Sequence, residues 1–243
     1  MKQMQSLNGK VAIVTGGSRG IGLAIARALV SEGVNVTITG RSEAHLSAAR
    51  PTIEAAGHGA VEALQADVRQ FDAVRRVVDA TAARFGGLDI LVNNAGVGIF
   101  GGVRSMSPSE WSEVIDTNLT GVFNATHAAL PHLQRRRGGF IINISSLAGK
   151  NPFADGAAYC ASKAGLNAFS EALMQELRYD NIRVSYVLPG SVSTAFSSGD
   201  AASGADWKIA PEEVADVVLN LLRHDPRSLP SRIELRPAKP RKS

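Results

Sequence analysis

The sequence predicts an α/β fold, a doubly wound and mostly parallel sheet of seven strands with helices on both faces. Three observations carry that expectation. Short apolar runs alternate with helical patterns along a chain of 243 residues, the signature of successive βαβ units with right-handed crossovers. A glycine turn, Gly16 to Gly22, joins the first apolar run to the first helix. The segments that look chemically active each follow a strand end, the edge at which such sheets bind ligands.

The elements follow in order. Lys10 to Thr15 is a short apolar run, read as a buried strand, and Leu23 to Ser31 continues as a helix. Val34 to Thr39 is a β-branched strand. Glu43 to Ala56 is helical and stops at Gly57. Ala60 to Gln65 is a strand, and a helix runs from about Phe71 to Phe85. Leu88 to Asn93 is apolar. One long helix is expected from about Ser109 to Arg137, kinked at Pro131. The cations Arg135, Arg136 and Arg137 complement its C-terminal dipole ahead of Gly138-Gly139. Phe140 to Ser145 is a strand, Ala157 to Tyr179 a helix and Arg183 to Leu188 a strand. Pro211 to Arg223 is a helix with proline at its start, and Ile233 to Leu235 is a last short strand.

Length and pattern fit one domain over residues 1–243, with no repeat or linker dividing it. Hydrophobic residues make up 44% of the chain, yet no apolar run approaches the ~18 residues of a membrane span. The N-terminus shows no apolar signal segment. Cys160 is the only cysteine and cannot pair within the chain, which fits a reducing compartment and a cytoplasmic location. The stretch from Arg232 to Ser243 holds five basic residues and one acidic, and so accounts for the whole net charge of +4. Charge confined to a Pro-rich end, from about Pro237, reads as a solvated tail and argues against nucleic-acid binding. The histidines show no ligand spacing, so no metal is expected.

Tyr159 and Lys163 are the most informative pair. Positions i and i+4 share a helix face. A phenol ionises near ~10, too high for work at neutral pH, and a neighbouring cation lowers that value. The pair therefore reads as a tuned acid/base. The glycine turn between strand and helix fits a pyrophosphate seated on a helix N-terminus, although glycine alone also fits an ordinary strand–helix connection. Cys160 points about 100° away from Tyr159 on the helix and reads as a packed or interface thiol.

Over roughly residues 7 to 223 the chain resembles the short-chain dehydrogenase/reductase family in its single-domain form. The motifs are Thr15-Gly-Gly-Ser-Arg-Gly-Ile-Gly22, Asp67-Val68, Asn93-Asn-Ala-Gly96, Asn118, Ser146, Tyr159-x-x-x-Lys163 and Pro189-Gly190, all in the family's order. The resemblance implies a Rossmann fold and hydride transfer between a nicotinamide cofactor and a small-molecule carbonyl or alcohol. By resemblance, Tyr159 is the general acid, Lys163 depresses its pKa and bonds the nicotinamide ribose, Ser146 holds the substrate oxygen, and Asn118 anchors a water leading to Lys163. The loop residues Gly16, Ser18, Arg19, Gly20, Ile21 and Gly22 would hold the diphosphate. Asp67 would accept from the adenine amino group, with Val68 offering its backbone N–H. Asn94, Ala95 and Gly96 would pass under the adenosine ribose. Pro189, Gly190, Val192 and Thr194 would meet the nicotinamide end and the phosphates.

No carboxylate follows the second strand, where one would select NAD. Gly40, Arg41 and Ser42 stand there instead, and with Arg19 they predict NADP(H) through paired guanidinium–phosphate bonds.

Substrate choice is assigned to Val97–Ser107, Leu147–Asp155 and a mobile Ala195–Lys208 loop. Phe100, Phe153, Phe196 and Trp207 line either an apolar pocket or an exposed interface. Bacterial-type 3-oxoacyl-acyl-carrier-protein reductases share the core motifs, but the ending Leu229 to Pro237 departs from theirs. A non-catalytic NADP(H)-binding sensor is the alternative of another class; retention of Asn118, Ser146, Tyr159 and Lys163 speaks against it. The resemblance also implies a homo-oligomer, commonly a tetramer, paired through helices at about 109–137 and 157–180.

Overall fold

Strand β1 (Val11–Thr15) is buried along its whole length, and its side chains part to both sides. Ala12 and Val14 enter one core and Val11 and Ile13 the other. This is the continuous apolar run of a strand covered on both faces. The computed structural model describes residues 5–194, 196 and 206–240. Around β1 lie β2 (Asn35–Gly40), β3 (Val61–Gln65), β4 (Ile90–Asn93), β5 (Gly139–Ile144), β6 (Ile182–Pro189) and β7 (Arg232–Leu235), all parallel, in the order β3-β2-β1-β4-β5-β6-β7. The direction of winding reverses at β1, between β2 and β4. That switch opens a crevice at the carboxyl edge.

One face carries α1 (Gly20–Ser31), α2 (Glu43–Glu54) and α7 (Pro211–Leu222), through Ile25, Leu29, Leu46, Ile53, Val214 and Val218. The other carries α3 (Phe71–Phe85), α5 (Gly121–Arg135) and α6 (Ala157–Leu177), through Val74, Val78, Ala129, Leu133, Leu173 and Leu177. The seven strands and the doubly wound layering match the sequence expectation to within a few residues at element ends.

The expected long helix from 109 to 137 is two. α4 (Pro108–Ile115) passes into a π-turn over Asp116–Thr120 before α5 begins. Pro131 stands inside α5, so the change of helical type falls well before the proline. The π-turn carries the fully buried Asn118, and turns of this kind are frequent at functional sites. The capping box of Ser107 and Glu110 marks the start of α4, a signal available in Ser-Pro-Ser-Glu.

The short last strand expected at Ile233–Leu235 is present, and in the segment after Pro237 the residues Ala238, Lys239 and Pro240 are exposed. Arg232–Leu235 is β7, Gly190 N–H donates to Leu235 O at 2.8 Å, and Arg236 Nη2 donates to Glu234 Oε2 at 2.9 Å. Main-chain pairing with β6 and the Lys150–Glu234 ion pair hold the strand down. Residues 241–243 lie outside the described part.

Candidate active site

A cleft of about 1180 Å³ runs along the carboxyl edge of the sheet. At its centre is the turn after β1. Gly16 and Gly20 have φ of +64° and +53°, a left-handed backbone that glycine adopts without a Cβ clash. Asn94 Nδ2 donates to Thr15 O at 3.0 Å and to Gly16 O at 3.1 Å. A Cβ on Gly22 would collide with Gly16 O and Asn94 Nδ2. The Thr15 hydroxyl accepts from the N–H groups of Asn94 and Ala95, both at 3.0 Å. The loops after β1 and β4 are thus locked together across the switch point. Gly16, Ser18, Arg19, Gly20 and Ile21 line the cleft; Gly22 packs behind it.

The residues predicted for the adenosine end, Arg41, Ser42, Asp67, Val68, Asn94, Ala95 and Gly96, all line the same cleft. Their side chains already have partners. Arg41 Nη1 donates to Glu113 Oε1 of α4 at 3.2 Å, and Gln65 Nε2 holds Arg41 O at 2.7 Å. Asp67 takes two side-chain nitrogens of Arg69, Nε at 2.9–3.0 Å and Nη2 at 2.6 Å. That hydrogen bonding holds the Asp67 carboxyl below its usual range, against a smaller opposing effect of burial. Ser42 caps α2 by accepting from His45 N–H at 3.3 Å. His45 also lines the cleft. Its place three residues after a cap Ser was the one available signal for it.

Tyr159 and Lys163 come together on the first two turns of α6, with Lys163 Nζ 5.9 Å from the centre of the Tyr159 ring. Two ties fix that helix over β5. Ser145 Oγ donates to Asn167 Oδ1 at 2.6 Å. Below it, Asn93 Nδ2 donates to Asn143 Oδ1, and Asn143 Nδ2 to Ser170 Oγ, each at 2.8 Å. Ser146, ending the β5 run, accepts from Ala148 N–H at 3.1 Å and lines the cleft with Tyr159, Lys163, Pro189, Gly190, Val192 and Thr194.

The electrostatics differ from the sequence expectation. Burial pushes the Tyr159 phenol above its ordinary value, and a hydrogen bond with the Ser146 side chain works in the other direction. Lys163 Nζ donates to Ile144 O at 2.9 Å, and burial lowers its pKa to about 8. The net direction for the phenol is upward, set first by burial.

Asn118 does not reach the cleft surface. Its Oδ1 accepts from Val97 N–H at 2.8 Å, and its Nδ2 donates to Val97 O at 2.9 Å and Ser162 Oγ at 3.0 Å. Both amide protons are used, so the side chain fixes the loop after β4 to α6 and keeps only an Oδ1 lone pair free. Cys160 is buried, as a packed thiol should be.

Phe100, Phe153, Phe196 and Trp207 all line the cleft, and the three phenylalanines are about half exposed. Most of the Ala195–Lys208 loop lies outside the described residues. Sequence reasoning missed Thr117, Arg236, Pro237 and Pro240, which also line the cleft. The prolines fall in the segment expected to be a solvated tail, and no periodicity marks their place at the cleft.

A seven-stranded parallel sheet with its glycine turn at the switch point and a Tyr–Lys pair on the cleft defines a nucleotide-binding oxidoreductase scaffold. The family model described as short chain dehydrogenase matches residues 10–203, and the chain belongs to that family of oxidoreductases. It is 41% identical to a 3beta-hydroxysteroid dehydrogenase of Eggerthella lenta, over 86% of this chain and 85% of the relative. It is also 41% identical to a 3-oxoacyl-[acyl-carrier-protein] reductase of Chlamydia muridarum, over 78% of this chain and 77% of that one. Among solved structures, a metagenomic short-chain oxidoreductase in complex with NADP superposes with a TM-score of 0.84 at 43% identity, covering 97% of this chain and all of the other. Among the described residues no helix is long and apolar enough to cross a membrane.

Proposed function

We propose that this protein is an NADPH-dependent oxidoreductase that interconverts a small-molecule carbonyl and its secondary alcohol. The observation that carries the reading is the Tyr159 phenol set beside Lys163 and Ser146 on the cleft that holds the glycine turn.

The cleft fits the cofactor on its own geometry. The glycine turn gives backbone approach for a diphosphate at the N-terminus of α1. Arg19 and Arg41 line the cleft, and Asp67, its one acidic lining residue, is tied to Arg69. That balance favours a 2′-phosphate over a bare ribose hydroxyl. Asp67, Val68, Asn94, Ala95 and Gly96 would hold the adenosine, and Pro189, Gly190, Val192 and Thr194 the nicotinamide half. When bound, the cofactor supplies or accepts the hydride.

The chain's own groups handle the proton. Tyr159 gives its phenolic proton to the substrate oxygen on reduction and takes it back on oxidation. The Ser146 hydroxyl holds that oxygen and the phenol in line. Lys163 is cationic at neutral pH and stabilises the phenolate left behind. Asn118 keeps the Val97 loop and α6 in register, and any water it anchors for Lys163 must use the spare Oδ1 lone pair or its backbone carbonyl. The lone, buried Cys160 suits a cytoplasmic enzyme, and the half-exposed Phe123 on α5 suits a homo-oligomer pairing there.

The relative that acts on 3-oxoacyl-carrier substrates gives a second reading within the same chemistry. The test is NADPH oxidation against ketones, diketones, 3-oxoacyl esters and quinones, for wild type and Tyr159→Phe. A loss of at least about a hundredfold in kcat in the variant is expected. Equal rates would refute the mechanism.

A further inference from the structure

Aromatic rings stand against the Tyr159 ring on the cleft. The Phe100 ring stands edge-on to Tyr159, with centroids 5.5 Å apart and planes at 65°. The Phe196 ring lies 5.9 Å from that of Tyr159, and Phe153 extends the wall from Phe100 at 6.0 Å. These separations are those of interacting rings. Yet the three are 46%, 44% and 50% exposed, so each keeps about half its surface open. Large apolar groups gathered in a cleft and left uncovered mark a surface shaped for an apolar ligand.

The backbone makes room for this wall. A Cβ on Gly98 would lie 2.8 Å from Phe196 Cε1 and 2.9 Å from Phe100 Cε2. A Cβ on Gly156 would come within 2.9 Å of three atoms of the Phe153 ring. Neither glycine has positive φ; each is needed for the close approach of a ring.

The C-terminal segment adds Pro237 and Pro240 to the cleft lining. A Cβ on Gly190 would meet Pro237 Cδ at 3.0 Å and Leu147 Cδ1 at 3.2 Å, so the proline packs directly over the residues that follow β5 and β6. Among the described lining residues the one carboxylate, Asp67, belongs to the adenosine end.

Resting on the active-site reading above, we infer that the substrate is an apolar, ring-bearing ketone or its secondary alcohol, packed against Phe100, Phe153 and Phe196 with its oxygen at Tyr159. The rings recognise its body, and Tyr159 and Ser146 recognise its one polar atom.

The experiment compares kcat/KM for 1-tetralone, acetone and dihydroxyacetone, with calorimetric binding of 1-tetralone to the NADP+-loaded protein, in wild type and Phe153→Ala. Tetralone is expected to exceed both small ketones at least about a hundredfold, and Phe153→Ala to lower the tetralone-to-acetone ratio about tenfold. Turnover with equal efficiency for all three, or a preference for dihydroxyacetone, overturns the inference and leaves the oxidoreductase reading standing. Tetralone binding that depends on Phe153, with no turnover of any ketone, overturns the catalytic reading and leaves the ring site standing. Absence of both binding and turnover overturns the inference.

Discussion

Arg41 Nη1 stands 3.2 Å from Glu113 Oε1, an ion pair that joins the loop after β2 to α4 across the adenosine end of the cleft. The cation proposed to meet a 2′-phosphate is here paired with a carboxylate, which competes with anion binding. Exposed pairs of this kind contribute about 0.2–1 kcal/mol. Glu113→Gln is therefore expected to tighten NADP+ binding up to about fivefold and to leave NAD+ binding unchanged. Arg41→Asp should weaken NADP+ at least about tenfold, through loss of charge-assisted bonds of roughly 1.5–3 kcal/mol. Fluorescence titration with both cofactors checks each variant. NADP+ affinity indifferent to Arg41→Asp would rule out the phosphate role of Arg41.

Gly22 has no room for a side chain. The methyl of Gly22→Ala would press on Gly16 O and on Asn94 Nδ2, which already donates to Thr15 O and Gly16 O. Relief requires the turn after β1 to move away from the loop after β4. A cost of roughly 1–3 kcal/mol is expected for such overpacking. Loss of cofactor binding should accompany it, because the same turn presents the α1 N-terminus. Chemical denaturation and cofactor titration on one sample check both. Native stability with native affinity would show that the turn is softer than its contacts indicate.

The Ser146–Tyr159 hydrogen bond sets a sign that kinetics can read. It lowers the phenol's pKa against burial, which raises it. Ser146→Ala removes the lowering influence, so the Tyr159 pKa should rise further. In the oxidation direction Tyr159 must accept a proton, and the acid limb of the pH–rate profile should move to higher pH in the variant. The rate itself should fall about a hundredfold or more with loss of a donor to the substrate oxygen. A profile that keeps its limb or moves it to lower pH would contradict the assignment.

What the sequence made legible follows from where each signal resides. β1, α3 and α6 were readable because buried strands and amphipathic helices write their environment into consecutive residues. Tyr159, Lys163 and the glycine turn were readable because a helix face or a tight turn fixes their spacing. The π-turn over Asp116–Thr120 was not, because its sequence, Asp-Thr-Asn-Leu-Thr, carries no breaker. It depends on Asn118 finding Val97, 21 residues away. The Arg41–Glu113 and Asp67–Arg69 pairs likewise depend on which loops the fold brings together. β7 was legible as the short run Ile233–Leu235, but the place of Pro237 on the cleft was not, because it depends on β7 pairing with β6. Even the Tyr–Lys pair was legible only as a juxtaposition: the depth of burial decided its electrostatics, and burial is a property of the assembled chain.

Lys163 provides a test that separates electrostatics from catalysis. Its ammonium is buried, and desolvation lowers its pKa to about 8 from an ordinary 10.5. The unfolded chain therefore binds more protons than the folded one between those values, and stability must rise with pH across that window. The penalty is fully present below about pH 8 and is gone above the ordinary ammonium value. At pH 7 it amounts to about 3 kcal/mol, since each unit is worth ~1.4 kcal/mol. Lys163→Met removes the charge at similar length but gives up the bond to Ile144 O, worth ~1 kcal/mol. The variant should therefore be inactive yet more stable than wild type by about 2 kcal/mol at pH 7, with the advantage largely lost by about pH 9.5. Guanidinium unfolding midpoints at the two pH values measure this. A gap between the proteins that stays constant, or that widens with pH, would mean that the amine is not desolvated in the folded state.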